Sequence, residues 1–112
     1  MTSRDDGVFV ARAGEENWEY DAETGGLVHL VRFDDRIQAG LWRPGEAAGK
    51  QIEVELMADE TFLVLAGSGT LRIDGREELE LRPGDMISLD KGAKTVWVVD
   101  EDFKEFWVYS GF

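Results

Sequence analysis

DETFLVLAGSGTLRIDG (residues 59–75), REELELR (76–82) and PGDMISLDKGAKTVWVV (83–99) follow one another without a break, and their reading decides the fold. Thr61 to Leu65 is a nearly continuous apolar run, as in a strand buried on both faces. Gly67 and Gly69 interrupt it, Thr70 to Ile73 resumes it, and Asp74-Gly75 is a two-residue hairpin signal. Glu78 to Arg82 alternates polar and apolar residues, with Leu79 and Leu81 on one face. Pro83-Gly84-Asp85 turns the chain into Met86 to Leu89, and Lys91-Gly92 turns it again into Thr95 to Val99. Short strands at this spacing, each bounded by a turn signal, predict an antiparallel sandwich or small barrel.

The flanks continue the rhythm. Val8 to Ala11 reads as a first edge strand behind a polar, frayed start over residues 1–7. Ala13 to Asp21 reads as an irregular acidic connection whose Trp18 and Tyr20 should pack down over the core, with at most a helical turn near Glu15 to Trp18. Further strands are predicted at 27–33, 36–43, 50–56 and 104–109, beside 60–66, 69–74, 77–82, 86–89 and 95–100. Asp34-Asp35 turns between the first two, and residues 44–49 form a loop. The expected architecture is all-β, a jelly-roll antiparallel β-barrel with little or no helix. Residues 1–112 read as one domain, an N-terminal arm and loop over 1–26 and a barrel over 27–112.

These residues also carry a resemblance. Gly40-Leu41-Trp42-Arg43-Pro44-Gly45, Asp59-Glu60, Pro83-Gly84-Asp85 and Gly92 to Trp97, in that order and separation, resemble the small single-domain cupins related to the ureidoglycine aminohydrolase cupin domain. The resemblance spans residues 40 to 109. It implies the jelly-roll barrel and a homodimer, since small cupins pair through sheet faces or exchanged N-terminal strands. Strands apolar on both faces agree with pairing.

Metal-binding cupins place His-x-His ahead of a Glu, with a further His on a later strand. The resemblance puts that Glu at Glu60. The two His positions carry Glu53 and Glu55 with a four-residue spacer, or Val54 and Leu56 with a three-residue spacer, and the fourth carries Thr95. The single histidine, His29, lies outside both motifs and reads as structural. In one register Glu53, Glu55 and Glu60 would crowd one cavity, where two charges about 4 Å apart repel by roughly 4 kcal/mol at an effective dielectric near 20. That arrangement persists only if protons are retained or a cation binds, and oxygen-only ligands favour magnesium, calcium or manganese. In the other register Ile52, Val54 and Leu56 face the core and the glutamates face water. Alternation with buried β-branched residues favours the second, so no metal and no other cofactor is expected.

Two roles fit Glu60. It is a general acid/base or ligand anchor in the barrel mouth, or a buried acid satisfied by Lys94, Lys104, Thr95 or the indole N–H groups of Trp42 and Trp97. Trp42, Trp97 and Trp107 either line a pocket or fill the core. The candidate pocket set is Trp42, Glu60, Phe62, Lys94, Thr95, Trp97 and Lys104, with Glu60 the candidate catalytic group. Ser88 and Ser110 lack a histidine partner, and Gly67 and Gly69 have no strand-to-helix context for a phosphate loop.

Composition removes whole classes of function. Net charge is −12, from 24 acidic and 12 basic residues, which argues against nucleic acid and anionic membrane surfaces. With no cysteine there is neither disulfide nor thiolate chemistry. No apolar stretch reads as a signal peptide or a membrane span, so a cytoplasmic location is expected. Three readings follow: a cupin binding a small metabolite without a transition metal, a metal-dependent enzyme on a small nitrogenous or sugar-like metabolite, and a structural or dimerisation module.

Overall fold

The computed structural model describes residues 7–112, so the polar start expected to fray lies, up to residue 6, outside the described residues. Among the described residues ten strands form two antiparallel sheets. They are β1 (Glu19–Tyr20), β2 (Leu27–Phe33), β3 (Ile37–Arg43), β4 (Ile52–Glu55), β5 (Asp59–Ala66), β6 (Gly69–Ile73), β7 (Leu79–Leu81), β8 (Met86–Leu89), β9 (Lys94–Val99) and β10 (Lys104–Ser110). One sheet has the order β1-β2-β3-β10-β5-β8 and the other β4-β9-β6-β7. A single 3₁₀ turn at Gly45–Ala47 is the only helical element among the described residues. The jelly-roll expectation is met.

The turns follow local chemistry. Asp34 Oδ1 accepts from the backbone N–H of Arg36 and Ile37, both at 2.9 Å, and closes the β2–β3 turn. Asp74 (φ 51°) and Gly75 (φ 71°) carry the positive φ pair of a tight hairpin turn, closed by Arg76 N–H to the Ile73 carbonyl at 3.0 Å. Gly67 is harder to replace. Its φ is +72°, and a Cβ there would stand 2.4 Å from the Phe103 backbone nitrogen. Gly67→Ala should therefore cost on the order of 2 kcal/mol in chemical denaturation.

The core between the sheets is built from Phe62, Val64, Leu71, Leu81, Val99 and Phe103, all fully buried, with Trp42, Trp97 and Trp107 beside them. Phe62 and Trp97 meet across the two sheets at 5.1 Å between ring centroids.

Some expectations need correcting. Thr61 to Leu65 is buried on one face only, since Thr61 and Leu65 are exposed while Glu60, Phe62 and Val64 are buried. The strand obeys period two. Val8 to Ala11 forms only an isolated bridge at Phe9. Residues 13–21 contain the short β1 and no helix, and Tyr20 is 72% exposed. Trp18 does pack down, but on the outside of the large sheet. Its ring meets His29 edge-on at 6.2 Å, with the Arg43 guanidinium 4.8 Å and Lys104 Nζ 5.8 Å from its centroid. Glu16 accepts from Lys104 Nζ at 2.5 Å, and that partner holds its carboxyl down at about 2. No helix of the described residues is long and apolar enough to cross a membrane.

Candidate functional site

Strand pairing decides which side chains meet inside. On β10, Glu105, Trp107 and Tyr109 share the inward face, opposite Val64, Phe62 and Glu60 of β5. The same three stand opposite Trp42, Gly40 and Gln38 of β3. From the facing sheet come Ile52 and Val54 of β4 and Trp97 of β9. These three and Glu105, Trp107 and Tyr109, with Glu60, Trp42, Gln38, Asp21, Glu23 and Thr24 from the loop after β1, and Phe33 at the end of β2, line a cavity of about 150 Å³, while Phe62, Val64 and Gly40 stay outside its lining.

Two carboxyl groups sit inside it. Glu60 is 4% exposed and Glu105 is 5% exposed. No hydrogen bond reaches the Glu60 carboxyl among the described residues, and Glu105 Oε2 is buried without a partner. Burial, with the Glu23 charge adding, pushes the Glu60 carboxyl up to about 8. Burial and the nearby Glu60 hold Glu105 well above the ordinary range too. Tyr109 is pushed up by its own burial and by these acids. Among the described residues no Lys, Arg or His lines the cavity.

Two of the indole donors at the cavity are engaged elsewhere. The Trp42 indole N–H donates to Thr24 Oγ1 at 2.9 Å, and Thr24 Oγ1 donates to Asp21 Oδ2 at 2.6 Å. The Trp97 indole N–H donates to Thr95 Oγ1 at 2.9 Å, and Thr95 Oγ1 donates to the Val54 carbonyl at 2.7 Å. Of the residues expected at the pocket, Trp42, Glu60 and Trp97 line it, and Trp107 lines it as well. The other four stand elsewhere. Phe62 is core, Thr95 is buried beneath Trp97, Lys94 is exposed, and Lys104 leaves the sheet to bind Glu16. Lys94 and Lys104 cannot join Thr95 and Glu105 inside, because neighbours on a strand face opposite ways. His29 is buried on the outer face, accepting the Asn17 N–H on Nδ1 at 3.1 Å.

The positions that would hold a cupin metal do not fit one. Ile52 and Val54 face the cavity, Glu53 and Glu55 are exposed on the opposite face, and the Thr95 hydroxyl is spent on a backbone carbonyl. Among the described residues no group of three His, Cys, Asp or Glu side chains is arranged around a metal. Replacing both Glu53 and Glu55 by Gln should shift the denaturation midpoint by less than ~0.5 kcal/mol equivalent, as for surface groups.

The EutQ-like cupin domain profile matches residues 31–106, two-thirds of the chain. The chain belongs to that family. This EutQ-like cupin superposes on a Salmonella typhimurium protein described as ethanolamine utilization protein Q with a TM-score of 0.81 at 16% identity, over 98% of this chain and 91% of that one. KdgF from a Halomonas species gives 0.72 at 20% identity, over 93% and 92%. A cupin superfamily protein from Desulfitobacterium hafniense gives 0.67 at 22% identity, over 82% and 83%. At these identities the likeness shows the fold. No curated protein matches the chain.

Missing from the expected pocket were Glu105, Tyr109 and the Asp21 to Thr24 loop. For the first two the signal was present, since alternation in 104–109 puts Glu105, Trp107 and Tyr109 on one face. Phe106 and Val108 make the other face equally apolar, so parity alone did not say which turns inward.

Proposed function

We propose that this cupin binds a small metabolite in the barrel mouth, without a transition metal. One observation carries the reading: Glu105 keeps a buried oxygen with no partner, beside the buried Glu60, in an aromatic-walled cavity. A structural acid would be satisfied by the fold, because an unmet buried oxygen costs about 1–3 kcal/mol. Here the missing partner is supplied from outside. A metabolite screen by thermal shift and tryptophan fluorescence tests this. A true ligand should raise the melting temperature and perturb the emission of Trp42, Trp97 and Trp107. Gln38→Trp, which fills the mouth, should abolish both effects.

A second reading is favoured by the Glu60 carboxyl near 8, with Tyr109 opposite it in register. A group titrating close to neutral pH gains or loses a proton readily, as general acid/base work requires. The kinship to ureidoglycine aminohydrolase cupins that the motifs suggest would make the substrate nitrogenous. Turnover, if present, should disappear in Glu60→Gln while binding persists.

The outer face of the large sheet supports a partner. Met86 is 79% exposed, Leu65 43% and Phe106 37%, with half-buried Leu63 among them. We propose that a second copy covers this patch. Light scattering should return about 25 kDa, twice the 12.6 kDa chain. A Leu63→Glu, Met86→Glu double variant should return the monomer.

A further inference from the structure

We infer that the barrel mouth takes a small protonated amine, whose N–H groups bond Glu105 Oε2 and whose charge is met by the carboxylates of Glu60 and Glu105. This rests on the mouth being the ligand site and names the chemistry it selects.

Charge comes first. Among the described residues, every ionisable side chain facing the cavity is acidic or phenolic: Glu60 from β5, Glu105 and Tyr109 from β10, and Asp21 and Glu23 from the loop after β1. No described positive group answers them. The nearest candidate in sequence, Lys104, points out of the barrel and is held by Glu16 and the Trp18 ring. This set offers an anionic ligand no counter-charge. Orientation comes next. An acceptor oxygen that is buried and unpaired calls for a donor, and an ammonium offers up to three. The walls complete the match, because Trp42, Trp97, Trp107 and Tyr109 surround the acids, and aromatic rings attract a cation while covering its hydrocarbon part. A divalent metal fits less well. It would need several converging oxygens, and the described residues bring no such group of three together.

Binding then moves protons. With the cavity free of a cation, burial keeps the Glu60 carboxyl largely protonated at neutral pH and shifts Glu105 in the same direction. An entering ammonium favours their ionised forms, so a carboxyl O–H bond breaks and its proton passes to the solvent buffer. The ammonium keeps its own protons. The charge brought in by the ligand leaves, wholly or in part, as released protons. Affinity should therefore rise about tenfold per pH unit, for one proton released, below the Glu60 value near 8.

The test is isothermal calorimetry of the intact chain with n-butylammonium and its neutral counterpart n-butanol, at pH 6, 7 and 8, each in two buffers of different ionisation enthalpy. The expected result is amine binding at least tenfold tighter than the alcohol at pH 8, with a buffer-dependent heat at pH 7 that reports proton release. Glu60→Gln, Glu105→Gln should lose the preference. The two-buffer result on the unaltered chain stands whether or not that variant folds. Equal binding of alcohol and amine would overturn the amine assignment and leave the ligand site in place. Displacement of the amine by magnesium or manganese at equal concentration would overturn it in favour of a hard-cation site. Silence from both probes, with no change in tryptophan emission, would overturn the amine assignment; if the metabolite screen also finds nothing that the Gln38→Trp variant abolishes, the mouth falls as a ligand site too.

Discussion

Urea denaturation at pH 5, 7 and 9 should show this protein losing stability as the solution becomes more alkaline. The Glu60 carboxyl ordinarily titrates at 4.5 and is held at about 8 in the folded chain. Between those two values the folded state binds the more protons, so stability falls as pH rises, and the cost is complete above 8. The difference corresponds to about 5 kcal/mol, and Glu105, shifted the same way, adds to it. Asp34 and Glu16 act in the opposite sense. Their carboxyls are held down by hydrogen bonds to Ile37 and Lys104, so the stability they give is present above the ordinary carboxylate range and lost in acid. Stability should peak near pH 5. Glu60→Gln should make the alkaline limb shallower, with Glu105 supplying what remains, and leave the acid limb unchanged. Equal midpoints at pH 5 and pH 9 in the unaltered chain would show that a donor already satisfies Glu60.

Glu105→Leu should make the chain more stable, by up to about 3 kcal/mol at neutral pH and by more at pH 9. The side chain is buried, one of its oxygens has no partner, and Leu of similar length would pack against Trp42, Val64 and Trp107 without an unmet acceptor. Stability gained by erasing a residue is the mark of a group retained for something other than folding. The same variant should no longer bind whatever the mouth pocket takes. A destabilised Glu105→Leu chain would mean that the carboxyl is a structural part of the core.

The barrel was legible because its signals are local. Asp74-Gly75, Pro83-Gly84-Asp85 and Lys91-Gly92 each force a reversal, and the segments between them are too short for helices. The strand ends drifted where propensity is weak: 77–82 was expected, and only Leu79–Leu81 pairs, at the edge of its sheet. The site was half legible. Glu60 and the tryptophans stood out by type, an acid heading an apolar strand and large rings near turn motifs. Lys94 and Lys104 seemed natural partners for Glu60 because opposite charges attract. Parity on their strands sends both outward, and sequence parity becomes informative only once one residue of the strand is known to face in. Thr95 and Glu105 supply that knowledge, and each does so through pairing with strands distant in the chain. Asp21, Glu23 and Thr24 reach the pocket from the loop that joins the two-residue β1 to β2, closed by its own hydrogen bonds between Asp21 and Gly25 and Gly26, and no motif marked that loop in the sequence.

That last segment changes what counts as the working part of the molecule. Leu27 begins the first long strand, and everything before it could pass for a disposable leader. Yet Thr24 receives the Trp42 indole N–H, Asp21 anchors Thr24, and a few residues upstream Trp18 and Glu16 are clamped to Arg43 and Lys104 on the outside of the same sheet. A chain shortened to start at Leu27 would retain every long strand and both buried acids. It would lose one wall of the chamber, open Trp42 and Glu60 to water, and remove the Glu23 charge that helps keep Glu60 protonated. Trimming the leader would thus retune the acidity of the chamber from outside the barrel.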